Sequence, residues 1–302
     1  MDGELGAVIL AGRRNTGALQ EVHGAAWEAL IPLAGRPMVA WVASACLAAP
    51  SLGHVVLVGP DPCGADAELA QARAAGRLGV VEPGDDLLGS VRHGLAGLQA
   101  ALPGAAGVVL VTGDVPLIDG AMLERFLQAI PAGADVGYPI ARRERMEERF
   151  PGAVRTYVRL RDGEFTGGNA LYLRLAAAPR ALQWAEALYA ARKQPWKLAM
   201  MFGPVVLMRV LARQATVAEL ERRLGRLAGL RAHAVEVADP ELAMDVDKAA
   251  DYRQAEARLR QAAGSSAGGG GTGGAGGGGA EGTGAAAEPP PAGRPGGGPG
   301  RG

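Results

Sequence analysis

The sequence predicts an α/β domain: a three-layer α/β/α sandwich around a mainly parallel, mixed central sheet. Three observations lead there. Short, continuous apolar runs bounded by glycine, such as "GVVLVTG" (107–113), read as strands buried on both faces. Amphipathic stretches separate them, so strand and helix alternate along the chain. The third is bulk composition: 302 residues, 48% hydrophobic and 21% charged, suffice for a sizeable core.

The elements follow in order. "GAVILA" (6–11) is the first strand, and "PMVAWVASACLAA" (37–49) a helix with Pro37 in its first turn. "HVVLVG" (54–59) and "GVVEP" (79–83) are further strands. In "DDLLGSVRHGLAGLQAAL" (85–102), Leu88, Val91, Leu95 and Leu98 fall on one helical face. "GVVLVTG" is the clearest central strand. "DVGYPIA" (135–141) is another, followed by the charged "RRERMEERF" (142–150), a solvated helical face or an anion-binding flap. "VRTYVRLRDGEF" predicts a hairpin around Asp162–Gly163, and "NALYLR" (169–174) a strand. Residues 176–230 read as a mostly helical insertion, in which Thr216 and Glu219 form a capping box. "AHAVEVA" (232–238) is the last strand, before a closing helix from "MDVDKAADY" onward.

Residues 1–263 therefore form the predicted domain. From Gly264 to Gly302 the chain is roughly half glycine with no apolar periodicity, and composition predicts a disordered Gly/Pro-rich tail. A formal net charge of zero and 4% aromatics argue against nucleic-acid or anionic-membrane binding. Cys46 and Cys63 have no metal-ligand spacing, and Cys46 reads as a small core residue. "LAMMFGPVVLM" is too short to span a bilayer, and "MDGELG" lacks a signal-like pattern, so a soluble, cytoplasmic protein is expected.

Ligands of open parallel sheets bind beyond the carboxyl ends of the strands. Past the first strand stand Ala11, Gly12, Arg13 and Arg14; past the central strand, Gly113 and Asp114; past the last, Asp245 and Asp247. Backbone N–H groups of a glycine-containing loop suit phosphate. Carboxylates suit a hard cation such as Mg²⁺, which shares its oxygen ligands with substrate phosphates. The combination points to a metal–nucleotide site.

Each residue also has a structural reading. Gly12 suits an ordinary strand-to-helix turn, and Asp114 a cap for the helix after Pro116. Asp247 suits an N-cap of the closing helix, Ser90 a packing position, and "TGGN" a bulge where a strand bends. His23 and His93 have no triad-like surroundings.

The segments "VILAG", "LIPLAGRPMVAWV", "GSVRHGL", "VTGDVPLI", "TGGNALYL" and "DVDKAADY", in that order over residues 7 to about 252, resemble nucleotidyltransferases of the glycosyltransferase-A-like fold. The similarity is greatest to the molybdenum-cofactor guanylyl- and cytidylyltransferase type, the MobA-like NTP transferases. The resemblance implies a Rossmann-like nucleotide-diphospho-sugar transferase fold. It implies transfer of a nucleoside monophosphate from a nucleoside triphosphate to a small phosphorylated acceptor, with pyrophosphate released. It assigns the triphosphate to Leu10, Ala11, Gly12, Arg13 and Arg14, with the arginines catalytic alongside Asp114. It assigns Mg²⁺ to Asp114 with Asp247 or Asp245, the base to the vicinity of Ser90, and the acceptor to Gly167, Gly168 and Asn169.

The chain departs from the family pattern. The usual loop reads LAGG-x-G-x-R, but Arg13 and Asn15 replace its later glycines and Gly17 its arginine. Glu28 stands where the family has a lysine. Arg13 and Arg14 can supply the missing positive charge, since guanidinium groups bind phosphate in forks. Glu28 must bind metal, pair with an arginine or point away. Two alternatives follow: a catalytically impaired nucleotide- or sugar-phosphate-binding homologue, and a glycosyltransferase using a ready-made nucleotide sugar. Neither the base nor the acceptor is legible in the sequence.

Overall fold

The structure, a computed structural model, describes residues 3–191 and 203–267. Chain contacts group Met1–Ala263 into one compact unit; of a second, Gly264–Gly302, only the first four residues are described.

Four parallel strands build one half of the sheet, in the spatial order β5 (Leu78–Val81), β4 (Leu52–Val58), β1 (Leu5–Leu10), β6 (Gly107–Thr112). These are continuous apolar runs because helices cover both faces. Along β1, Ala7 and Ile9 point into a core shared with α1 (Met38–Ala48) and α4 (Gly120–Ala129). Val8, between them, points into a second core with α3 (Leu87–Ala101) and the start of α6 (Ala178–Ala191). Helices α2 (Ala67–Ala74) and α5 (Arg143–Arg149) complete the first layer through Leu69 and Met146. Two short strands, β2 (Pro32–Leu33) and β3 (Arg36–Pro37), pair separately ahead of α1.

The other half is mixed. β7 (Val136–Arg142) pairs in parallel with β11 (Ala232–Glu236) along one edge. Its other edge receives β9 (Gly163–Gly167) and β10 (Ala170–Arg174), both antiparallel, and β10 continues to β6. β9 and β10 are thus two lengths of one strand, broken at Gly168–Asn169. β8 (Val158–Leu160) pairs with β9, and Leu160 opposite Gly163 makes Arg161 and Asp162 the turn residues, one position earlier than the Asp-Gly pair suggests.

Within residues 176–230 the described chain contains α6, α7 (Pro204–Leu211) and α8 (Val217–Ala228), the last with the Thr216–Glu219 capping box. The closing helix α9 (Ala249–Ala267) runs four residues past the boundary at 263. Extending a formed helix costs far less than nucleating one, so it continues through Gly264–Ala267. The rest of the glycine-rich segment, 268–302, and the first part of "LAMMFGPVVLM" lie outside the described residues.

Candidate active site

The loop after β1 is held from behind. Ala11 N–H donates to Val58 O at 2.8 Å, and Gly12 lies so close to Pro83 that an added Cβ would stand 2.6 Å from its Cβ. Buried Asn15 donates through Nδ2 to His23 O at 2.8 Å and Ala25 O at 3.0 Å, while Glu28 N–H donates to Arg13 O at 3.1 Å. Residues 13–16 are thereby folded onto 23–28. Arg14 stacks on the Trp27 ring, 3.7 Å from its centroid. Arg13 instead turns to two carboxylates: Nε lies 3.2 Å from Glu28 Oε2, and a terminal nitrogen donates to Asp247 Oδ1 at 2.9 Å. Of the options open to Glu28, pairing with an arginine is the one realised. Burial pushes its carboxyl up, and Arg13 works against that.

Asp114 stands two residues beyond β6. Its backbone carbonyl accepts from Val246 N–H at 2.8 Å, which brings the flanking Asp245 and Asp247 to the same place. One carboxylate oxygen from each of the three lies within 4.8 Å of the others. Asp114 does not cap a helix: α4 is capped by Asp119, which accepts from Met122 N–H at 2.8 Å. Burial pushes the Asp114 carboxyl up, Asp247 adds to the effect, and Arg13 and the neighbouring Thr112 oppose it. Yet Asp114 Oδ1 and Thr112 Oγ1 are buried without a well-formed hydrogen bond. Asp245 is pushed up to about 6 by burial, against Arg155 and with the help of Asp114 and Asp247. Arg155, its side chain nearly buried, donates to Asp245 O at 2.7 Å and sits 3.4 Å from Asp245 Oδ1.

A buried carboxylate oxygen without a well-formed hydrogen bond, beside two more carboxylates, is expensive to hold unless a cation balances it. An all-oxygen donor set of this kind fits a hard divalent ion such as Mg²⁺.

Ser90 belongs to the turn that backs the loop after β1. Its Oγ accepts from Gly84 N–H at 3.1 Å, fixing the turn between β5 and α3 that includes Pro83. Gly167–Asn169 form the break in the β9–β10 strand. Gly168 N–H donates to Pro139 O at 2.8 Å, Asn169 N–H to Leu242 O at 2.7 Å, and Asn169 O accepts from Thr112 N–H at 3.0 Å. The bulge and a position beside the carboxylates are therefore the same feature. His93 Nδ1 lies 2.9 Å from Glu82 O, and His23 Nδ1 accepts from Ala25 N–H, both away from the carboxylates' contacts. Leu10 reaches the site through its carbonyl, which accepts from Gly113 N–H at 2.9 Å.

Sequence reasoning missed Arg155 and Thr112. Arg155 sits in an irregular stretch with nothing local to mark it. Thr112, the one polar residue of an apolar strand and two before Asp114, carried a signal.

The family profile of the MobA-like NTP transferase domain matches residues 7–239. A solved hypothetical transferase from Thermus thermophilus is 35% identical, with a TM-score of 0.70, covering 82% of this chain and 99% of that one. A CMP:2-keto-3-deoxy-manno-octonic acid synthetase solved with CTP is 16% identical at a TM-score of 0.54, over 86% of this chain and 99% of the other, a likeness of fold. The bifunctional protein GlmU of Agrobacterium fabrum is 38% identical over 135 residues, 43% of this chain and 27% of that protein. The 2-C-methyl-D-erythritol 4-phosphate cytidylyltransferase of Prochlorococcus marinus is 37% identical over 108 residues, 35% of this chain and 46% of that protein. The match spans less than half the length of either curated relative.

Proposed function

The chain belongs to the MobA-like NTP transferase family, and from that premise we propose that it moves a nucleoside monophosphate from an NTP to a phosphorylated acceptor, releasing pyrophosphate. The observation that carries the reading is the convergence of Asp114, Asp245 and Asp247 within 4.8 Å, with a buried Asp114 oxygen that lacks a well-formed hydrogen bond. These three would hold Mg²⁺. When bound, the ion supplies charge neutralisation on the phosphates and the leaving pyrophosphate.

The chain's own groups divide the remaining work. Glu28 and Asp247 orient the Arg13 guanidinium, whose other N–H donors are available to phosphate oxygens. Backbone N–H groups around Gly12 add to that cradle, and Arg14 lies beside it on Trp27. Ser90 and Gly84 shape the base side; Gly167, Gly168 and Asn169 shape the acceptor side. The acceptor's phosphate oxygen attacks the α-phosphorus in line, the bond from that phosphorus to the bridging oxygen breaks, and pyrophosphate leaves with the electron pair. An acceptor that arrives ionised needs no general base. In this reading residues 1–263 are the catalytic domain and 264–302 an appended tail. Among the described residues no helix is long and apolar enough to cross a membrane, and we place the activity in the cytoplasm.

The test is pyrophosphate release with each of the four NTPs, with and without Mg²⁺. Asp114→Asn should lower the metal-dependent rate by about a hundredfold or more, the scale on which one transition-state-stabilising group acts. It should leave the melting temperature of the metal-free chain no lower, because a neutral amide relieves the buried charge. An unchanged rate would overturn the reading. One observation favours a second reading, a nucleotide-binding homologue without turnover: Arg13 is already engaged by two carboxylates. Mg²⁺-dependent nucleotide binding with no pyrophosphate release from any phosphorylated acceptor would select it.

A further inference from the structure

We propose that the acceptor taken by this site is a phosphate monoester with an apolar body, an alkyl or prenyl phosphate, whose chain lies in a cleft beneath α6. The inference rests on the nucleotidyl-transfer reading above and specifies its acceptor.

The cleft begins where the reaction would occur. Its mouth is formed by Leu10, Thr112 and Asn169, at the carboxyl ends of β1 and β6 and at the strand break. Thr112 is two residues from Asp114, and its buried hydroxyl lacks a well-formed hydrogen bond. Tyr138, also lining the cleft, precedes Pro139, whose carbonyl accepts from Gly168 N–H at 2.8 Å at the strand break.

Away from the mouth the chemistry changes. Leu110 and Leu173 form the floor, Leu88 and Val91 of α3 one wall, Ala181 and Leu182 of α6 the other. Among the described residues no charged side chain lines it, and the polar side chains that do are Thr112, Tyr138 and Asn169. The cleft then continues into a second apolar cavity between α6 and α8, which shares Tyr138, Leu171, Ala181 and Ala185 with the first. Among the described residues the one carboxylate there, Glu221, already accepts from Ala234 N–H at 2.7 Å. Ala181 and Ala185 lie four residues apart on one face of α6, and their short side chains leave the space open. At the rim Leu87 is 51% exposed.

A sugar or polyol phosphate would bring hydroxyl groups into this space, each losing water and finding no partner. A hydrocarbon chain has no polar group to strip of water, and its gain from leaving water outweighs its lost conformational freedom. The phosphate head would meet the polar mouth while the chain filled the cleft. In the reaction the head's oxygen forms the new bond to the α-phosphorus and pyrophosphate departs, so the product is a nucleoside diphosphate ester of the apolar alcohol.

The test titrates the full chain by calorimetry with ethyl, butyl, hexyl, octyl and decyl phosphate, below micelle-forming concentrations, and with glycerol 3-phosphate. Mg²⁺–NTP binding is measured in parallel. Affinity should climb roughly two- to fourfold per added CH₂ while the cleft fills, and glycerol 3-phosphate should bind at least about tenfold more weakly than decyl phosphate. Ala181→Trp and Ala185→Trp should each abolish the climb without changing Mg²⁺–NTP affinity. A flat series with intact Mg²⁺–NTP binding would overturn this inference alone. So would a flat series in which the tryptophan variants shift only the melting temperature, which would make the cleft a matter of packing alone. A climbing series without any Mg²⁺–NTP binding would overturn the acceptor assignment together with the reading it rests on.

Discussion

Glu28 shows how one residue's partner reverses its meaning. A carboxylate beside a triphosphate is repulsive by itself, but here it is 4% exposed and holds Arg13 at 3.2 Å. Glu28→Lys should therefore not restore a family-like phosphate site. It puts two cations together in a space made for a pair. Breaking a fully buried pair costs about 3–5 kcal/mol; with the Arg13 side chain 62% exposed, solvent screening reduces this to about 1 kcal/mol. The melting temperature should fall by about 2–4 °C, with no gain in triphosphate affinity by calorimetry. Asp245 sets a pH dependence of definite sign. Its carboxyl is raised from 3.8 to about 6, so its proton binds the folded state more tightly than the unfolded one. Stability of the metal-free chain is undiminished below the unfolded pKa and falls as pH rises toward about 6. Mg²⁺ competes with that proton, so metal affinity should rise across the same window and level above it. Melting curves from pH 4 to 7, with and without Mg²⁺, check both slopes, and Asp245→Asn should flatten the first.

At the scale of elements, the break between β9 and β10 turns an ordinary antiparallel strand into part of the site. Gly168 is needed there because an added Cβ would stand 2.9 Å from Leu242 O, 3.2 Å from Pro139 O and 2.8 Å from Pro139 Cγ. Two of those atoms are backbone and cannot swing aside. Gly168→Ala should cost about 1–3 kcal/mol in chemical denaturation. Gly104→Ala, where nothing lies within 4 Å of the new atom, should stay within about 0.5 kcal/mol. The loop 243–247 has its own support. Arg155 reaches Ala243 O at 3.3 Å and Asp245 O at 2.7 Å, so it holds the segment that presents two of the three carboxylates. Arg155→Gln should weaken Mg²⁺-dependent nucleotide binding by roughly 10–100-fold, the usual effect of losing a partner that orients a metal ligand.

Across the whole domain, Asp114 and Asp245 at the carboxyl ends of the strands contrast with Asp135 at the amino end. At the carboxyl ends of the parallel strands, Asp114 and Asp245 are held against the cost of burial. At the amino end, just ahead of β7, Asp135 accepts from Arg174 Nε at 2.8 Å and from Arg231 N–H at 2.8 Å, tying β10 and β11 to β7. Burial pushes the Asp135 carboxyl up, but these donors outweigh it and hold it below the usual range. Its contribution is present above the unfolded pKa and lost as pH falls through the folded value. Asp135→Asn should therefore lower the melting temperature at pH 7 and make progressively less difference as the solution is acidified. In the metal-free molecule Asp114 and Asp245 lower stability where they are ionised, while Asp135 raises it.

Much of this was legible in the residues alone. The strands, the helices on both faces and the placement of Gly12, Asp114, Asp245 and Asp247 beyond strand ends all follow from local patterns, because continuous apolar runs and helical periodicity report burial within a few residues. The sequence by itself determined the sandwich, the family resemblance and which side chains come near one edge. Only the tertiary structure decided what they do there. Arg13 pairs with Asp247 across 234 residues of chain, Glu28 becomes its counter-charge, and Arg155 becomes the brace of a carboxylate loop. The break at Gly168–Asn169 and the cleft beneath α6 likewise depend on how closely distant elements pack. No local pattern encodes such pairings: a side chain's type limits the partners it can accept, and packing selects among them.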